Sequence, residues 1–365
     1  MKPAGRRKNL PAFISRIALI AALCSILVVQ AGCSSLTPYD SQYAGSNKAY
    51  LVKGLQKPHA IPDSWWDIEG SVEQGNFSRV KYHDLYDKNF YMVVEGQVGL
   101  SPKKYPVILD TGASRSVILE QALVSAHRLP TYPQDSDITN SNGNSFGRCY
   151  LPELNIGGAT LSDLPALYVK PKFSLNPFEL LFPKDKTVIV GLQALMKFKY
   201  IMFDSTLKEA EFSNNGSFEP ENPNDWKQYS FEIEEDFAGN AFLYVTVPLA
   251  GREVALQLDT GNGRGLALKE QLWEKMPGAI KAIKLAGGKD LYPYIGNLEC
   301  KRGVIPNLKI GETIVSNAMV SVFPDDSPLL DECEGLLGMQ FFKDTTIVLD
   351  FERNLMWIKS TSERT

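Results

Sequence analysis

The 365-residue chain is 44% hydrophobic and 22% charged, which suits two modest domains or one two-lobed body and excludes extended disorder as the main state. Its 22 Pro and 28 Gly favour strands and turns over long helices, and three scattered histidines (His59, His83, His127) argue against a metal site. A formal net charge of −4, without a Lys/Arg cluster in the body of the chain, leaves no basic surface for nucleic acid.

The first residues read as a targeting segment. Lys2, Arg6, Arg7 and Lys8 form a basic start, and an apolar run from about Ile17 to Val29 comes next. That run is shorter than the ~20 residues that span a bilayer, which favours a cleaved signal over an uncleaved membrane anchor. Gln30-Ala31-Gly32-Cys33 then resembles a bacterial lipobox, with Gln30 where an aliphatic residue is usual. The resemblance implies that residues 1–32 are a lipoprotein signal peptide and that Cys33 is acylated. Ser34 after that cysteine resembles lipoproteins sent to the outer membrane, so the expected place is the cell envelope, lipid-anchored and facing the periplasm. Losing the basic start makes the remaining chain more acidic. Residues 33–75 lack periodicity and are expected to be a tether, with Trp65-Trp66 packing on the first folded lobe or, alternatively, meeting the membrane surface. Cys149, Cys300 and Cys333 are left to form one disulfide and one thiol, or to remain three reduced core cysteines.

From residue 76 onward the sequence predicts β structure in two matching passes. A strand at Phe90–Val94 and a second ending at Asp110 precede a short helix near Glu120–His127. Asn142-Gly143 is a strong hairpin-turn signal. Leu154–Gly157, Val188–Gly191 and Tyr200–Asp204 complete the first pass, and the polar, turn-rich stretch 214–228 reads as a linker. The second pass opens at Phe242–Val247, ends a strand at Asp259, and predicts a helix near Lys269–Lys275. Leu308–Gly311, Gly335–Gly338 and Thr346–Asp350 then repeat the earlier segments in order. The domain reading is therefore an N-terminal lobe over 76–213, a linker over 214–228 and a C-terminal lobe over 229–361.

The strongest match within the repeat is Val107-Ile-Leu-Asp110-Thr111-Gly112 against Leu256-Gln-Leu-Asp259-Thr260-Gly261, with Arg115 and Arg264 also coinciding. Two Asp-Thr-Gly loops in register, each followed by an apolar-apolar-Gly segment, resemble the aspartic peptidases of the retropepsin and pepsin clan. The resemblance covers roughly residues 76–360. It implies two β-barrel lobes related by a pseudo-two-fold axis with the active site between them: a monomer that is an internal pseudo-dimer. Asp110 and Asp259 would be the catalytic pair acting on a polypeptide substrate, with no metal and no cofactor. Two close carboxylates share a proton, so one can activate water while the other protonates the carbonyl oxygen. Gly112 and Gly261 would let the backbones approach, and Thr111 and Thr260 would hydrogen-bond across the axis. The second loop departs from the family at Asn262-Gly263. Asn262 either donates to Asp259 in place of the usual hydroxyl or marks a relaxed, catalytically silent relative that only binds peptides. Asn142 and Gly143 are the flap candidates, with Gly287-Gly288, near Tyr292 and Tyr294, as a weaker counterpart. Arg115 and Arg264 read first as solvated or intra-lobe ion-pair residues.

Overall fold

A computed structural model describes residues 49–50, 59–62, 64–73, 77–84, 90–99, 101–132, 138–139, 145–169, 187–237, 239–249, 251–292, 296–310, 313–331 and 333–360. The segment read as a signal peptide, Cys33, and the flap candidates Asn142 and Gly143 lie outside the described residues. In the first half the strands are β1 (Ala49–Tyr50), β2 (His59–Ala60), β3 (Ser71–Val72), β4 (Phe77–Lys81), β5 (Val93–Val98), β6 (Lys104–Asp110), β7 (Val117–Glu120), β8 (Ile138–Thr139), β9 (Ser145–Ile156), β10 (Ala159–Val169), β11 (Val188–Gly191), β12 (Tyr200–Asp204) and β13 (Glu209–Ser213). The second half has β14 (Lys227–Glu235), β15 (Ala241–Leu249), β16 (Arg252–Asp259), β17 (Leu266–Lys269), β18 (Ala286–Tyr292), β19 (Gly296–Ile310), β20 (Thr313–Phe323), β21 (Gly335–Gly338), β22 (Thr345–Asp350) and β23 (Leu355–Ser360). Short helices at Gln121–His127 and Glu270–Glu274 come after the two loops.

The fold is mostly β, with two lobes of matching topology. In the first, ladders run β10–β7–β11–β6–β5–β9, and a β9–β10 ladder closes the barrel. In the second, β20–β17–β21–β16–β15 repeat that order, but the β15–β19 ladder that would match β5–β9 is absent among the described residues. Alternation sorts the side chains of each strand onto two faces. Along β6, Val107 and Leu109 enter the main core, whereas Ile108 joins a second apolar cluster on the outer face. β11 and β21 are buried at every position, as their unbroken apolar runs suggest for strands covered on both sides.

Two features lie beyond the repeat. The stretch read as a tether is part of the first lobe from residue 61. Ile61, Trp65 and Ile68 are buried in the outer cluster, Trp65 Nε1 donates to the Ala166 carbonyl at 3.1 Å, and β3 pairs with β10. Burying one large apolar side chain of this kind is worth about 2–3 kcal/mol, so the segment is well anchored. Secondly, β14, β23, β22, β12, β13 and β4 form a continuous run of six strands to which each half contributes three. The stretch 214–226 packs against it. Phe218 is buried beside Trp357, and its N–H donates to Asp350 Oδ2 at 3.1 Å.

Cys149, Cys300 and Cys333 are all buried and unbridged. Among the described residues, no helix is long and apolar enough to cross a membrane.

Candidate active site

Asp110 and Asp259 end equivalent strands, and the chain turns sharply after each. What holds each turn is the glycine-ended strand beside it. Gly191 N donates to Ser116 O and Leu192 N to Ala113 O, both at 2.8 Å. In the second half, Gly338 N donates to Gly265 O and Met339 N to Asn262 O, again at 2.8 Å. Each apolar-apolar-Gly segment therefore serves as the backbone clamp of its Asp-Thr-Gly loop.

The loops meet tip to tip through reciprocal bonds. Thr111 Oγ1 donates to Leu258 O at 2.6 Å and accepts from Thr260 N at 3.0 Å. Thr260 Oγ1 donates to Leu109 O at 2.8 Å and accepts from Thr111 N at 3.0 Å. Both threonines are completely buried. Each hydroxyl thus satisfies one donor and one acceptor of the opposite half. We expect Thr111→Val and Thr260→Val each to lower unfolding stability by about 2–4 kcal/mol, since each buried group left unpaired costs roughly 1–3 kcal/mol. Urea denaturation monitored by fluorescence measures this, and a loss under about 0.5 kcal/mol would show the bonds to be dispensable.

This clasp brings the carboxyl groups of Asp110 and Asp259 within hydrogen-bonding contact of each other. Asp110 Oδ1 also accepts from Gly112 N at 2.9 Å and Ala113 N at 3.0 Å. Burial raises the Asp110 pKa above the usual carboxylate range, opposed by its bonds to Asp259 and to those N–H groups. Asp259 is held well above that range, first by burial and then by the charge of Asp110. Such a pair keeps one proton between two carboxylates and titrates as a unit. The glycines make the approach possible. A Cβ on Gly261 would stand 2.1 Å from Asp110 Cγ, and one on Gly112 2.5 Å from Asp259 Cγ.

Asn262 sits in the second loop as expected, but its side chain is engaged elsewhere. Its Oδ1 accepts from Arg264 N at 2.8 Å, and its buried Nδ2 makes no hydrogen bond, to Asp259 or elsewhere, with the Tyr292 phenol as an electrostatic neighbour. The backbone N–H of Asn262 donates to the backbone carbonyl of Asp259 at 3.2 Å and favours the ionised form of its carboxyl. Arg264 pairs with Asp290 at 3.3 Å, and Arg115 donates to Gly239 O at 3.2 Å. Tyr91, not singled out by the sequence, lies within electrostatic reach of both carboxylates, its phenol pushed up to about 12 chiefly by burial. Its only sequence signal is a place in the strand that opens the first pass. Among the described residues no His/Cys/Asp/Glu group could hold a metal ion.

Fold and paired loops together define a two-lobed β architecture with a buried carboxylate pair where the lobes meet. No protein-family model and no curated protein matches the sequence. Among solved structures the chain is similar to basic 7S globulin from soybean, at 10% identity with a TM-score of 0.45, covering 80% of this chain and 96% of that one.

Proposed function

We propose that this chain is a retropepsin-like aspartic endopeptidase of the bacterial envelope, hydrolysing peptide bonds in exported proteins with water activated between Asp110 and Asp259. The carrying observation is the buried carboxylate pair, gripped by reciprocal threonine bonds across the two halves. In the proposed reaction the ionised carboxylate takes a proton from water as the water oxygen bonds to the substrate carbonyl carbon. The protonated partner gives its proton to the carbonyl oxygen. Collapse of the resulting diol breaks the C–N bond, and the leaving nitrogen takes up a proton through the pair. Rigid placement of both acids supplies much of the rate, because the reacting groups start in attack geometry.

The test is incubation of the full chain with a diverse peptide library, with Asp110→Asn as the control. Cleavage by wild type that the variant lacks supports the reading, and cleavage by both defeats it. A second reading, a peptidase-like lipoprotein that binds peptides without cutting them, is favoured by one observation: the Asn262 side chain bonds within its own loop instead of to Asp259. Binding without cleavage would establish it. Membrane attachment belongs to the same proposal. Wild type is expected to sediment with membranes and Cys33→Ser to appear in the soluble fraction, because acyl chains on that cysteine would provide the anchor. Equal sedimentation of both would remove the lipid from the account.

A further inference from the structure

Asp290 and Tyr292 lie two residues apart on β18 and so share one face of that strand. Both reach the loop that carries Asp259. Asp290 is fully buried, and donors surround its carboxylate: Arg264 Nε at 3.3 Å, Ser321 Oγ at 2.5 Å, Cys300 Sγ at 3.6 Å, and Arg302 in a short ion pair. Arg264 belongs to the loop itself. Tyr292 and Asn262 are each 4% exposed. The Tyr292 hydroxyl and Asn262 Nδ2 are electrostatic neighbours, although they make no hydrogen bond to each other or to any other described residue. One strand face therefore engages the loop through an ion pair at Arg264 and sets a buried phenol beside the buried amide of Asn262.

The first half solves the same problem differently. Arg115 matches Arg264 in the repeat, and Arg148 precedes Leu154 by the interval at which Arg302 precedes Leu308. There Trp66 stacks under Arg115 at 5.8 Å and under Arg148 at 4.7 Å, with Trp65 at 5.4 Å from Arg148. The matched arginine pairs are thus braced by aromatic rings in one lobe and by Asp290 in the other.

We propose that Asp290 and Tyr292 are positioning residues for Asp259, clamping its loop through Arg264 and Asn262 and replacing the side-chain bond that Asn262 does not make to Asp259. The inference rests on the peptidase reading for its catalytic readout. Asp290→Asn would strand two guanidinium groups and endanger folding, so the clamp is tested at its outer members in the full chain. Arg264→Gln leaves Asp290 paired with Arg302 and Ser321, and Tyr292→Phe removes one oxygen atom. Tyr229→Phe is the control, because its hydroxyl bonds only Ile310 O and Thr313 Oγ1 within the same lobe. With a peptide that wild type cleaves, Arg264→Gln and Tyr292→Phe are expected to lower kcat about tenfold with KM moved less than about twofold, the pattern of a loss felt mainly in the transition state. Arg264→Lys recovers most of the rate, because its ammonium still pairs with Asp290, and Tyr229→Phe keeps the wild-type kcat.

Unchanged kcat in both Arg264→Gln and Tyr292→Phe, or an equal fall in Tyr229→Phe, overturns the clamp and leaves the peptidase reading standing. Should wild type cleave nothing, calorimetric binding of a peptide carrying a non-hydrolysable hydroxyl isostere decides. Weaker binding in Arg264→Gln and Tyr292→Phe, but not in Tyr229→Phe, supports the clamp while ending the catalytic reading. Equal affinity in all four proteins overturns the clamp as well and leaves the peptide-binding reading, and no binding by wild type overturns the clamp and both readings of the site.

Discussion

Asp110→Asn and Asp259→Asn are each expected to cut peptide hydrolysis by at least about a thousandfold, with the double variant scarcely worse than either. The non-additivity comes from a shared proton: one carboxyl cannot serve as base without the other as acid. For the same reason wild-type activity should be bell-shaped in pH, falling when the pair gains its second proton or loses its last. Burial raises both carboxyls, so the alkaline limb lies above the range of ordinary aspartates. A stability effect of defined sign accompanies this. The folded pKa of Asp259 exceeds the unfolded value, so the folded state binds the proton more tightly. Stability then falls as pH rises from the ordinary carboxylate value through the folded one. Asp259→Asn removes that titration, and the inactive variant should outlast wild type in thermal melts at about pH 7.5 but gain less at about pH 4. An active Asp259→Asn would end the assignment, and a variant less stable than wild type at the higher pH would contradict the burial argument.

Gly261→Ala is expected to abolish most activity without adding or removing a charge. Its methyl group would stand 2.1 Å from Asp110 Cγ and 2.3 Å from Oδ1. Those atoms cannot swing aside freely, because Oδ1 is held by two N–H groups of its own loop. The pair must therefore separate, and a displacement near 1 Å costs about a hundredfold in rate. Gly112→Ala meets Asp259 Cγ at 2.5 Å and should behave alike. Steady-state rates beside near-ultraviolet circular dichroism separate a displaced pair from an unfolded one. Near-normal turnover in both variants would mean that the two loops do not approach as described.

Much of this is readable in the residues. Paired Asp-Thr-Gly loops, their glycine-ended companions and the short helix after each loop are local patterns, and the sequence places them within a residue or two. What escapes is set by partners distant in the chain. Trp65 meets Ala166 across a gap that no periodicity reports, so residues 61–72 read as a spacer although they complete a lobe. The six-strand run unites β4 with β13 and β12 with β22, pairings no turn signal announces. By its place in the loop Asn262 reads as a stand-in for a hydroxyl beside Asp259. Its amide oxygen instead accepts from Arg264 N, and its nitrogen lies near Tyr292, which the sequence marks only as one of two tyrosines near a Gly-Gly pair.

The β12–β22 ladder couples the halves more strictly than a covalent linker would. Its middle pair is Met202↔Val348, flanked by Ile201↔Leu349 and Phe203↔Ile347 and then by Tyr200↔Asp350 and Asp204↔Thr346. Met202 and Val348 hold the same place in the repeat, so exchanging the halves returns the middle pair to itself and turns each of the other four into its counterpart across the middle. That is the isologous geometry of a two-fold dimer contact, written here within one polypeptide. A slip of one residue would move the pivot and slide one half past the other by roughly 3.3 Å. The threonine clasp, closed by 3.0 Å bonds on the same axis, could not accommodate that slide. Strand register in a sheet outside the two loops thereby acts as the alignment pin of the carboxylate pair.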